Sequence, residues 1–167
     1  QIGEKALPPD FTRRKNLLKW ANLENRPFLR CTHALGLYFF DAGNFAKGIE
    51  LFEFIISVNP NDNQGIRAVL AEGYLKIGNY LAVLDLCDRY RGDITVDLTY
   101  GEPFALFKMA NKEKATPSLK RAIKLSPKVA RELLKKRHTP PETLFPGKYT
   151  VGGDDEAYYY WERSGIL

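Results

Sequence analysis

Residues 35–60 read Leu35-Gly36-x-x-Phe39-x-x-x-Gly43-x-Phe45-x-x-Gly48-x-x-x-Phe52-x-x-Ile55-x-x-x-x-Pro60, and this spacing decides the fold. Leu35, Phe39, Phe45, Phe52 and Ile55 recur at helical intervals, which predicts that they line a seam between two antiparallel helices. Gly36 and Gly48 are small where such helices cross closely. Gly43 stands where the first helix must stop, at the position that takes a left-handed backbone. Asn59-Pro60 closes the second helix, because a residue before proline avoids the helical region. A lone hairpin of this kind cannot bury its own apolar face, so the rest of the chain must complete the burial. That points to a scaffold rather than a catalyst.

The pattern returns twice. Leu70-Ala71-x-x-Tyr74-x-x-x-Gly78-x-Tyr80 repeats Leu35 to Phe45 at an offset of 35. Its second helix is predicted over 80–90 and ends at Arg91-Gly92-Asp93, a helix-stop turn. A third hairpin follows, with a first helix over 95–110, a turn at 111–114, and Tyr100, Phe104 and Phe107 on one stripe. Ala115, Leu119, Ala122 and Pro127 match Gly48, Phe52, Ile55 and Pro60 at an offset of 67. A period near 34 residues with this hydrophobic code is that of tetratricopeptide repeats. The expected fold is all-α: a tetratricopeptide-like right-handed α-solenoid of about three helical hairpins with capping helices.

Around these repeats the chain divides into 1–26, an N-terminal cap segment; 27–138, the repeats and a following helix; and 139–167, a C-terminal loop and capping helix. In the first, Asp10 caps a short helix near Phe11. Asn25-Arg26-Pro27 starts the first repeat helix, which runs over 27–42, and its partner runs over 45–58. Ser126-Pro127 starts a helix running to Arg137, where His138-Thr139-Pro140-Pro141 breaks it; His138 reads as a solvated cap there. Asp154-Asp155-Glu156 opens the last helix with carboxylates at its dipole-favoured end, and Gly165 ends it. The chain starts at Gln1 and stops at Leu167, which reads as a piece of a longer protein.

The apolar fraction of 44% and aromatic fraction of 13% supply a core and argue against global disorder. Cys31 and Cys87 read as small buried hydrophobes in a reducing, cytoplasmic setting. No run reaches the ~18 apolar residues of a membrane span, so no membrane partner is expected. The net charge of +5 is uneven: residues 112–148 hold 11 basic and 3 acidic side chains, and residues 31–111 hold 6 and 10.

Several strings resemble known families. Glu24-Asn25-Arg26-Pro27-Phe28-Leu29-Arg30, Asn59-Pro60-Asn61-Asp62-Asn63-Gln64-Gly65-Ile66-Arg67, the helix after Ser126-Pro127, and Gly152-Gly153-Asp154-Asp155-Glu156-Ala157-x-x-Tyr160 together resemble the bacterial relatives of the suppressor of tumorigenicity 7 family. A more distant similarity, on Asn25-Arg26-Pro27-Phe28 and the order of hairpins, is to transcription factor 25 and its yeast counterpart in ribosome quality control. Both resemblances imply helical repeat proteins without enzymatic activity.

The residues themselves carry no phosphate loop, Cys-x-x-Cys or metal spacing, so no cofactor and no catalytic residue is expected. Cys31 and His33 fall on different faces of one helix. The candidate binding groove is the inner face of the first helices: Arg30, His33, Leu37 and Phe40, then Leu75 and Lys76, then Tyr100, Phe104, Phe107 and Lys108. It is apolar and aromatic with a few cations, and it suits an apolar peptide or helix. The chain's own segment 145–161 is the other candidate occupant. Lys120, Arg121, Lys124, Lys128, Arg131 and Lys135 form a basic patch, either a solvated face or a contact for RNA phosphates or an acidic protein. No aromatic interleaves with these charges over 112–138, which weakens the RNA case. The expected function is a non-enzymatic protein–protein interaction scaffold, with an RNA- or ribosome-associated module using 112–148 as the alternative.

Overall fold

A computed structural model of the chain describes residues 16–145 and 147–164. It is all-helical: eight helices and no strand among the described residues, in an order compatible with an α-solenoid. They are α1 (Asn25–Asp41), α2 (Phe45–Val58), α3 (Ile66–Lys76), α4 (Tyr80–Arg89), α5 (Val96–Lys108), α6 (Lys112–Leu125), α7 (Pro127–Leu133) and α8 (Asp154–Ser164). They fall into two compact units, one through Gly73 and one from Tyr74.

In the first unit α1 and α2 pack through two glycines. A Cβ on Gly36 would overlap the Phe52 ring, and one on Gly48 would overlap the Phe40 ring. The inward stripe of α1 is Leu29, His33, Gly36 and Phe40, not Leu35 and Phe39. Leu35 is 47% exposed, whereas Phe52 and Ile55 are fully buried as expected. One residue is 100° of helix, so a stripe misread by one position turns the wrong face inward. The beginning of α3 lies on this pair: a Cβ on Gly73 would stand 2.5 Å from Phe40 Cζ and 3.0 Å from Ile49 Cγ1. Before α1 the chain makes turns over 20–24, and the Leu18 N–H donates to the Val58 carbonyl at 2.8 Å. Residues 16–19 are not helical. The helix start expected near Phe11, with its cap Asp10, lies outside the described residues.

The turn 59–65 is built around Asp62. It takes a left-handed φ of 48°. Its Oδ1 accepts from the Ile66 N–H at 2.7 Å and its Oδ2 from the Arg67 N–H at 2.9 Å, which caps α3. The Arg67 guanidinium donates to the same Oδ2 at 2.9 Å.

In the second unit α4, α5 and α6 pack in succession, and α7 and α8 close the end. Val96, Tyr100, Ala122, Val129, Ala157 and Tyr160 form its buried cluster, with Ala130 and Leu133 against it. Helix α5 continues through Pro103, which is buried. Helix α7 ends at Leu133, short of the Arg137 expected from sequence. Helix α8 spans Asp154–Ser164, and the stop expected at Gly165 lies outside the described residues. At its start the Glu156 carboxylate accepts from the Gly152 N–H at 2.7 Å.

Three turns share one design that sequence reading saw only in part. Gly43, Gly78 and Ala110 take φ of +74°, +72° and +60°. Each is followed by an asparagine (Asn44, Asn79, Asn111) whose Oδ1 accepts the N–H three residues on, at 3.2, 3.3 and 3.2 Å. The third turn is therefore only Ala110-Asn111, and α6 begins at Lys112 rather than after Lys114. Alanine at +60° costs about 1–2 kcal/mol relative to the right-handed region. Ala110→Gly should therefore raise stability by about 0.5–1 kcal/mol after the added unfolded-state entropy. A urea midpoint that falls instead would show that this turn is not strained.

Candidate functional site

The third hairpin's seam has the plan of the first, with its side-chain bulk redistributed. At the offset of 67, Gly36, Phe40, Gly48, Ile49 and Phe52 correspond to Pro103, Phe107, Ala115, Thr116 and Leu119. Proline and alanine add bulk where the glycines stood, while threonine and leucine are smaller than the Ile and Phe they replace. The result is an apolar pocket of about 220 Å³ lined by Tyr100, Pro103, Phe104, Phe107, Ala115, Thr116, Leu119, Leu133 and Tyr160. That volume takes one or two large side chains and falls below the ~300–1,000 Å³ of cofactor sites.

Each wall has a local cause. Tyr100 is held by its own hydroxyl, which donates to the Ser126 carbonyl at 2.7 Å, and its ring tilts against Tyr160 at 5.8 Å between centroids. Phe104 has the Tyr80 ring edge-on at 6.5 Å and the Lys108 ammonium 5.2 Å from its centroid. Phe107 and Leu119 form the mouth, 57% and 43% exposed. No carboxylate lines the pocket. Lys112, Thr116 and Lys120 share a ridge of α6 at i, i+4 and i+8, so two lysines flank the pocket wall.

Four of the predicted groove residues, Tyr100, Phe104, Phe107 and Lys108, are thus brought together. Tyr100 is buried rather than exposed, because α8 covers it. Leu75 packs near Gly101, and Lys76 donates to the Arg163 carbonyl at 2.8 Å. In the first unit, Phe40 is buried in the seam and is not a groove residue. His33 is half-buried, edge-on to Phe52 at 5.8 Å, with Nδ1 3.3 Å from Gln64 Nε2. Burial holds its pKa below the ordinary value, against the pull of the Asp62 charge. A neutral imidazole is the form that accepts from the Gln64 amide. The Arg30 guanidinium lies 5.4 Å over the Trp20 ring, and Leu37 is exposed. Sequence reading missed Pro103, Ala115, Thr116, Leu133 and Tyr160, and it placed Leu119 in the filled seam. The available signal was the exchange of Ile49 and Phe52 for the smaller Thr116 and Leu119 at fixed repeat positions.

The basic patch is divided by ion pairs. Arg121 pairs with Glu102, Lys128 with Asp154 at 2.9 Å, and Lys135 with Glu132. Lys120, Lys124 and Arg131 make no ion pair among the described residues and are exposed. His138 is not a solvated cap. It stacks on Trp161 at 3.7 Å and 8°, and its Nδ1 lies 2.9 Å from Glu132 Oε1.

An open cleft of about 1000 Å³ lies along α4, α5 and α6. Several of its polar groups are engaged with one another: Glu102 with Arg121 and with the Ser118 hydroxyl at 2.6 Å, and Asp88 with Arg91. Burial, reinforced by Glu102, pushes the Cys87 thiol up to about 12, far from a nucleophile's range. Cys31, expected buried, is exposed, and both cysteines are free. No group of three metal-ligating side chains occurs among the described residues. No helix there is long and apolar enough to cross a membrane.

A family model described as Tcf25, transcriptional repressor TCF25, matches residues 2–150. It agrees with the second of the two resemblances, the one resting on Asn25-Arg26-Pro27-Phe28 and the order of hairpins. No curated protein matches the chain, and no solved structure does.

Proposed function

The chain belongs to the TCF25 transcriptional-repressor family, and on that premise we propose that it is a non-enzymatic interaction module that docks an apolar protein segment in the pocket between α5 and α6. The carrying observation is the apolar pocket in the α5–α6 seam with Phe107 and Leu119 open at its mouth. Walls without a carboxylate, lysine or histidine suit recognition by burial, and full burial of one leucine or phenylalanine anchor contributes about 1.5–3 kcal/mol. The two free thiols suit a reducing compartment, the cytoplasm of the sequence reading or the nucleus in which a repressor acts.

The test is selection of a randomised peptide library of about 16 residues on the chain. Selected peptides should share an apolar helical spacing and lose at least about tenfold in affinity against Leu119→Asp, roughly the energy of one buried anchor. No enrichment, or binding indifferent to that substitution, sinks the reading.

A second reading, an RNA- or ribosome-associated module, draws on Lys120, Lys124 and Arg131, which are exposed and make no ion pair among the described residues. It requires RNA affinity at low salt that falls as salt rises, because phosphate contacts release counterions.

A further inference from the structure

The first hairpin offers an internal comparison for the pocket of the third. In the first unit the ring of Phe40 is only 9% exposed, because the Gly73 edge of α3 lies on it. The residue equivalent to Phe40 in the third hairpin is Phe107, and it is 57% exposed. The step of 67 from Gly73 reaches Pro140, and α7 has already stopped at Leu133. Over the third hairpin, Leu133 of α7 and Tyr160 of α8 close the inner end of the pocket, and its outer end at Phe107 and Leu119 lies open.

Charge decides what kind of helix fits there. Lys108 stands over Phe104, and Lys112 and Lys120 flank Thr116 on the pocket ridge. No acidic side chain lines the pocket. Among the 3 acidic residues of 112–148, Glu132 is taken up by Lys135 and His138, and the exposed Glu113 in the first turn of α6 is outnumbered there by Lys112, Lys114 and Lys120. A basic or neutral helix would meet these lysines without compensation, whereas an acidic one neutralises them.

We propose that the pocket binds a partner's acidic amphipathic helix, seated over Phe107 and Leu119 as α3 is seated over Phe40, with its carboxylates toward Lys108, Lys112 and Lys120. This rests on the interaction reading above and names the partner's chemistry. The helix carries a small residue opposite Phe107, as Gly73 stands opposite Phe40, and branched apolar residues three and seven positions before it, as Leu70 and Ile66 do.

The probe is a labelled synthetic helix of about 18 residues with that Ile-x-x-x-Leu-x-x-Gly face and glutamates at its remaining positions, titrated by fluorescence anisotropy. Two companions replace the glutamates by glutamine or by lysine. The acidic probe should bind the full chain, about tenfold more tightly than the glutamine probe at low salt, with the lysine probe weaker still. Lys112→Glu with Lys120→Glu should erase the difference between acidic and glutamine probes. Leu119→Asp should abolish binding of both; Phe107→Ser, at the more exposed site, repeats the measurement should that variant misfold. Equal binding of acidic and glutamine probes, both lost on Leu119→Asp, overturns the acidic helix and leaves the apolar pocket standing. Binding of neither probe, or binding that ignores Leu119→Asp and Phe107→Ser, overturns both. A uridine oligonucleotide that binds through the same lysines, with the acidic probe failing to displace it, assigns them to nucleic acid and overturns the proposal.

Discussion

Gly36→Ala should destabilise the first unit by about 2 kcal/mol, although alanine is the better helix former by about 1 kcal/mol. The new methyl would overlap the Phe52 ring. That ring has nowhere to go. Phe52 is fully buried, with the Phe40 ring against it at 5.1 Å and 68° and the His33 ring at 5.8 Å. Phe40 is itself confined by Gly48 and Gly73. Close packing transmits the displacement instead of absorbing it. For a chain of this size the melting temperature should fall by about 4–8 °C. Gly101→Ala provides the opposite case. It also sits inside a helix, but a Cβ there would lie 3.6 Å from Val83 and 3.7 Å from Leu75, ordinary contact. Its expected effect is a gain of about 0.5–1 kcal/mol from helix propensity alone. If both substitutions shift stability in the same direction, crowding at the α1–α2 crossing is not what selects glycine there.

The second large effect lies in the turn before α3. Asp62→Ala should cost about 3 kcal/mol, from loss of a helix cap, of a charged hydrogen bond to Arg67 and of a side chain that tolerates positive φ. The carboxylate is fully buried, so water cannot replace it easily, while the Arg67 side chain is 23% exposed and recovers part of its hydration. Asp62→Asn keeps the tolerance of φ 48° and one oxygen acceptor, and should cost about half as much. Hydrogen exchange gives the local readout. The Ile66 and Arg67 amides, which bond to the two carboxylate oxygens at 2.7 and 2.9 Å, should lose protection first. Unchanged protection at these amides, with stability lowered elsewhere, would show that Asp62 does not cap α3.

The pattern of glycines, asparagines and prolines made the helices legible before any coordinates. Helix α2 falls on 45–58 as read, because Asn44 and Asn59-Pro60 are local signals and local chemistry sets helix ends. The turn residues Gly43 and Gly78 were equally readable, since a left-handed backbone is a property of the residue itself. Ala110 was not, because nothing in an alanine announces a positive φ. The end of α7 was misread for a similar reason: Leu134 to Arg137 are good helix formers, yet the helix stops at Leu133. Local propensity is a weak prior where packing does not extend the helix.

What the sequence by itself determined is the all-α class, the order of the hairpins and the two close crossings at Gly36 and Gly48. Each of these follows from residue size and backbone preference within a few positions. Only the tertiary structure decided which face of α1 turns inward, since Phe39 and Phe40 are equally apolar and differ by one step of helix rotation. It alone placed Tyr100 beneath α8 and left Phe107 open, because burial depends on which element arrives from a distance in the chain. The pocket has the same origin. Its walls come from α5, α6, Leu133 of α7 and Tyr160 of α8, and such a groove stays open only where no neighbouring helix closes it.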